Sequence, residues 1–126
     1  VKQKPMPARF DVFGRYRAII VDSREPIEVQ REQFFHELCH VLRHAGHQTL
    51  MPKAFLELQE RDAKHFTLYA MLPYHMLKNY NFEDYSIVEL LAHDFKVRNE
   101  LVVERLERIK QRQATLMVAE NKINYA

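Results

Sequence analysis

At 126 residues, with 47% hydrophobic and 29% charged residues, two glycines and no tryptophan, the chain has the make-up of one helix-biased domain, which excludes two independent cores and a wholly disordered polymer. A net charge of +2 is too mild to demand a nucleic-acid or anionic-membrane partner. One cysteine, Cys39, excludes an internal disulfide framework, and with neither a signal-like leader nor an apolar run of spanning length the sequence reads as that of a cytoplasmic protein.

In chain order, residues 1–8 (VKQKPMPA) form a proline-broken, poorly ordered lead-in. The β-favouring runs FDVF and YRAIIVDS flank Gly14-Arg15 and predict a hairpin whose second strand holds Ala18 to Val21. Pro26 suits a first helical turn. From about Ile27 to Ala45 the apolar residues Phe34, Phe35, Leu38, Val41 and Leu42 predict a mostly buried helix, with Gly46 placed to end it. After the connector HQTLMP, Lys53 to Leu72 keeps a helical pattern closed by Pro73. The polar-aromatic stretch YHMLKNYNFEDY predicts a short turn of helix plus loop. Ser86 stands as N-cap of a helix over IVELLAHDF, KVRN turns the chain, and ELVVERLERIKQRQATL predicts a long amphipathic helix with Glu104 and Glu107 paired to basic neighbours.

The chemistry lies in HELCH, residues 36–40. Helical positions four apart stack about 6 Å along the axis, so His36 and His40 share a face and can each offer a nitrogen to one zinc ion at ~2.0–2.1 Å. Glu37 is then beside the water that such an ion activates, where a carboxylate can act as general base for peptide hydrolysis. The competing interpretation is a pair of ordinary core or surface histidines, which an apolar helix would tolerate only if they were hydrogen-bonded.

A catalytic zinc needs a third protein ligand. His44 continues the four-residue rhythm but lies about 9 Å along the axis from the midpoint of the pair and about 40° further round. Cys39 points away from the shared face and reads as buried packing, and His47 would have to fold back after Gly46. On the second helix Leu56, Glu60, Ala63, Thr67 and Ala70 make a stripe at spacings of four and three that carries Glu60 among apolar or small side chains. A surface pair of Glu60 with Lys64 would be worth only about 0.3–0.5 kcal/mol. Asp62 and His65, on neighbouring faces, stay open as alternatives.

HELCHVLRH, followed by ERDAKHFTLYAMLP and SIVELLAHDFKVRNELVVERL, resembles the ImmA/IrrE-type zinc metallopeptidases, a gluzincin-like HExxH family of mobile elements and stress regulation, from about Ala18 to Leu106. The resemblance implies His36, His40 and Glu60 as zinc ligands and Glu37 as general base. It implies a protein substrate too, a helix-turn-helix repressor of a phage or integrative element. Cys39 stands where that family commonly has glycine and Lys64 where it has asparagine.

The expected architecture is α+β: a mostly helical single domain over residues 1–126, with a small N-terminal hairpin beside the HExxH helix and a C-terminal helical pair over 86–119. The free edge of the hairpin could hold an extended substrate, and Tyr69, Tyr74 or His75 could assist the oxyanion. Two rivals belong to other classes: a non-catalytic repressor-binding module, and a DNA-binding regulator with structural or no metal. Glu100, Glu104 and Glu107 put negative charge on the helix that would have to read DNA, which argues against direct nucleic-acid contact.

Overall fold

The computed structural model describes residues 6–44 and 50–124, with side chains through residue 122. Strand β1 (Arg9–Phe13) pairs antiparallel with β2 (Tyr16–Ile20) in a two-stranded sheet, in the register Phe10 to Ile19 and Phe13 to Tyr16. Gly14 opens the two-residue turn at φ 59°, a conformation glycine adopts without the Cβ penalty, which is why the strands reverse here. The second strand ends at Ile20, one residue short of the expected Val21. Helix α1 (Ile27–Arg43) packs against the hairpin on one side and against α2 (Lys53–Met71) on another. Arg17 fixes the hairpin to α1 by donating from Nη1 to the Val41 carbonyl at 2.8 Å.

The chain then makes a single turn, α3 (Tyr74–Leu77), followed by α4 (Ile87–Phe95) and α5 (Asn99–Asn124). Pro73 ends α2 as expected, because it lacks the N–H the ladder needs. Ser86 does occupy the N-cap position of α4, but its side chain does not cap: its Oγ and N–H both donate to the Asp84 carboxylate, at 2.8 and 2.9 Å. At the other end of α4, Lys96 takes the left-handed conformation at φ 55° and Val97 N–H reaches back to the Ala92 carbonyl, a Schellman-like closure.

The core joins the C-terminal half of α2 to α3, α4 and the first half of α5, through Leu68, Met71, Leu77, Leu91, Val97 and Val102. Each of these six is at most 3% exposed, and burying one such side chain stabilises by about 1.5–3 kcal/mol. Helix α1 contributes Phe35 to the margin of this cluster. It is not the mostly buried helix its apolar spacing predicts: Phe34 and Leu42 are 42% and 63% exposed, because only the face carrying Cys39 and His40 is fully covered. Gly46 and His47 lie outside the described residues. Helix α5 runs past the expected Leu116 to Asn124, and Glu104 pairs with Arg108 as the charge pattern suggests, at 3.0 Å; among the described residues Glu107 makes no ion pair.

α2 therefore divides its length. Its C-terminal half builds the core, which leaves its N-terminal half to face α1 with Glu60 and Asp62.

Candidate metal centre

His36 and His40 sit one turn apart on α1 and present their Nε2 atoms to each other at 3.3 Å. The Glu60 carboxylate comes from α2 and closes the triangle, with Oε2 at 2.9 Å from His36 Nε2 and Oε1 at 3.1 Å from His40 Nε2. Three donors from two helices thus converge within 4.8 Å of one another. Bonds of ~2.0–2.2 Å in a tetrahedral arrangement separate donor atoms by ~3.3–3.5 Å, so the triangle matches the edge of a zinc coordination sphere after a slight widening. Two neutral imidazoles and one carboxylate leave a fourth position open, the donor set of a catalytic rather than a structural zinc site. The residues present fit the ion.

Burial tunes these groups in useful directions. His40, only 4% exposed at its side chain, has its pKa lowered chiefly by desolvation, against the opposing pull of Glu60, which favours the neutral ring a metal requires. Burial likewise raises the Glu37 carboxyl above its ordinary value; His36 opposes the shift and Glu60 adds to it. A carboxylate with raised proton affinity is a better general base. An open cleft of about 320 Å³, lined by Leu56, Glu57, Glu60, Arg61 and Lys64, runs alongside the Glu60 carboxylate.

The alternatives for the third ligand go elsewhere. Asp62 turns to His44 and Arg43, at 2.9 and 3.2 Å, while His65 stacks on Tyr69 with ring centroids 4.3 Å apart. Cys39 is fully buried, with Sγ 3.7 Å from Asp62 Oδ2, and burial pushes its thiol up to about 11. His44 does not enter the triangle; its Nδ1 meets Nδ1 of His40 at 2.9 Å, a contact that spacing alone did not suggest. Of the possible oxyanion donors, Tyr69 lies nine positions beyond Glu60 on α2, about 13.5 Å along the axis, beneath the guanidinium of Arg105. Tyr74 and His75 lie exposed on α3.

A family model described as the IrrE N-terminal-like domain, a peptidase family, matches residues 2–107. The phage-like element PBSX protein XkdA of Bacillus subtilis (strain 168) is 36% identical over 111 residues, 86% of this chain and 54% of that protein. The uncharacterized protein YqaB of the same organism is 32% identical over 90 residues, 70% of this chain and 52% of that protein. The chain spans about half the length of the curated relatives it matches. No solved structure matches it significantly. Among the described residues, no helix is long and apolar enough to cross a membrane.

Proposed function

The chain belongs to the family of IrrE N-terminal-like peptidase domains, and from that premise we propose that it is a zinc-dependent metalloendopeptidase that cleaves a helix-turn-helix repressor of a phage or mobile element. The convergence of His36, His40 and Glu60 carries the metal part of this reading. The relative from a phage-like element and the resemblance to anti-repressor proteases support the substrate class.

His36 and His40 would hold the ion through Nε2, and Glu60 would hold it through its carboxylate. When bound, zinc supplies a Lewis acid that polarises the scissile carbonyl and lowers the pKa of the attacking water. Glu37 takes the proton from that water and delivers it to the leaving amine, so one carboxylate serves as base and then as acid. Among the described residues no further strand pairs with the hairpin, which Arg17 holds to α1, so an extended peptide can add along its outer edge.

The test is incubation of the zinc-loaded protein with the repressor encoded beside its gene, with cleavage products mapped by mass spectrometry. Glu37→Gln keeps all three ligands and removes the base, so zinc is retained while the cleavage rate falls by at least ~100-fold. A cut that persists at the original rate in this variant, or an intact repressor with the zinc-loaded wild type, overturns the assignment.

A further inference from the structure

Behind the metal triangle a second line of polar groups runs through Asp62, His44 and His40. We propose that His44 and Asp62 are positioning residues: a hydrogen-bonded relay that fixes the tautomer and tilt of His40 and thereby sets the affinity of the site for zinc. The inference rests on the metal-binding reading of His36, His40 and Glu60, but not on any proteolytic activity.

The geometry allows only one proton arrangement once a metal is held. Ligation through Nε2 of His40 leaves the ring proton on its Nδ1, which faces Nδ1 of His44 at 2.9 Å. That atom of His44 must accept, so the His44 proton resides on Nε2, 2.9 Å from Oδ2 of Asp62. Asp62 accepts it, and accepts again at Oδ1 from Arg43 Nη1 at 3.2 Å. Every donor has an acceptor, and the chain ends on a carboxylate. The side chains of His40 and His44 are 4% and 12% exposed, so water competes poorly for these bonds. A carboxylate acting on a ligating histidine through its second nitrogen orients the ring and raises its basicity, and losing such support typically costs 10–100-fold in metal affinity. Here a second imidazole is interposed, which lets Asp62 on α2 act on a ligand of α1 through the His44 ring.

The same atoms invite another interpretation, since Cys39, His44 and Asp62 also lie close enough to hold an ion of their own. Arg43 already occupies one oxygen of Asp62, and a metal on His44 Nε2 would displace the proton that the relay requires. The two arrangements are mutually exclusive, so stoichiometry separates them.

The experiment measures zinc binding to the full chain by competition with a chromophoric chelator, alongside the melting temperature of the zinc-free protein. Wild type is expected to bind one equivalent. Asp62→Asn is the sharpest variant: Arg43 holds the amide oxygen, the amide N–H₂ then faces His44 Nε2, and each proton in the chain shifts so that the His40 proton falls on Nε2, the ligating atom. Zinc affinity is expected to fall about 10–100-fold with the zinc-free melting temperature unchanged. His44→Leu should show a loss of the same order, and His44→Gln, which can still accept from His40, should recover part of it. In the zinc-free proteins, nitrogen-15 NMR should show the His40 ring proton on Nδ1 in wild type and on Nε2 in Asp62→Asn. Affinity within twofold of wild type in both Asp62→Asn and His44→Leu would overturn the relay while leaving the metal site standing. Two equivalents, the second lost in Cys39→Ser, would overturn it as well. A wild type that binds no zinc removes both the relay and the metal reading.

Discussion

Arg105 shows what a single charged side chain can do inside this core. It is 4% exposed, its Nε donates to the Leu72 carbonyl at the end of α2 at 2.8 Å, and its guanidinium lies 4.0 Å from the centre of the Tyr69 ring. It thus satisfies a helix-end carbonyl that would otherwise be orphaned, and covers an aromatic face. Arg105→Ala removes the donor and leaves a void, so a loss of about 2–4 kcal/mol is expected, read from the midpoint of urea unfolding. Arg105→Lys keeps the charge without the planar fork and should recover only part of that loss. At this scale the approach of Glu60 to the two imidazoles was only partly legible in the sequence: the small-residue stripe left Asp62 and His65 open beside it, and the family resemblance singled it out. The role of His44 was not legible at all. It is the residue at which α1 stops, with extended backbone at φ −121° and ψ 117°, so its ring departs from the helical path that spacing arguments assume. The partnership of Asp62 was hidden for the same reason.

Elements were legible where a residue type dictates backbone geometry. Gly14 between alternating strands and Pro73 after an apolar helix each have one local reading, and the structure follows both. The turn between α4 and α5 is less obvious, since Lys96 takes a conformation usually left to glycine. The buried Val97 that follows it and the bidentate pair of Arg98 with Glu32, at 2.7 Å for each bond, hold the corner and draw Lys96 into the left-handed region. Lys96→Gly should relieve that strain and stabilise the protein by about 1 kcal/mol, visible as a higher urea midpoint with an unchanged slope. The exposure of Phe34 and Leu42 was not legible, because periodicity tells which residues share a face and not whether another element arrives to cover it.

Over the whole molecule, packing is distributed unevenly. Among the described residues Ile109 is the last buried one of α5, and from Lys110 to Lys122 every position is exposed, Leu116, Met117 and Val118 included. A helix without tertiary contacts is marginal at this length, so its far end had no sequence signal to mark it: neither glycine nor proline interrupts residues 99–124. Removing residues 111–126 should change unfolding free energy by less than about 0.5 kcal/mol, and in the intact chain amide exchange should be slowest around Val102 and fastest beyond Lys110. A much lower melting temperature for the shortened protein would show that the tail packs after all.

The division of α2 into a structural half and a functional half has an evolutionary consequence. Anchoring and reactivity draw on different stretches of one rod, so substitution at Glu60 or at either imidazole leaves the body of the molecule with its supports intact. Sequences that have lost the metal triangle can therefore persist as folded domains.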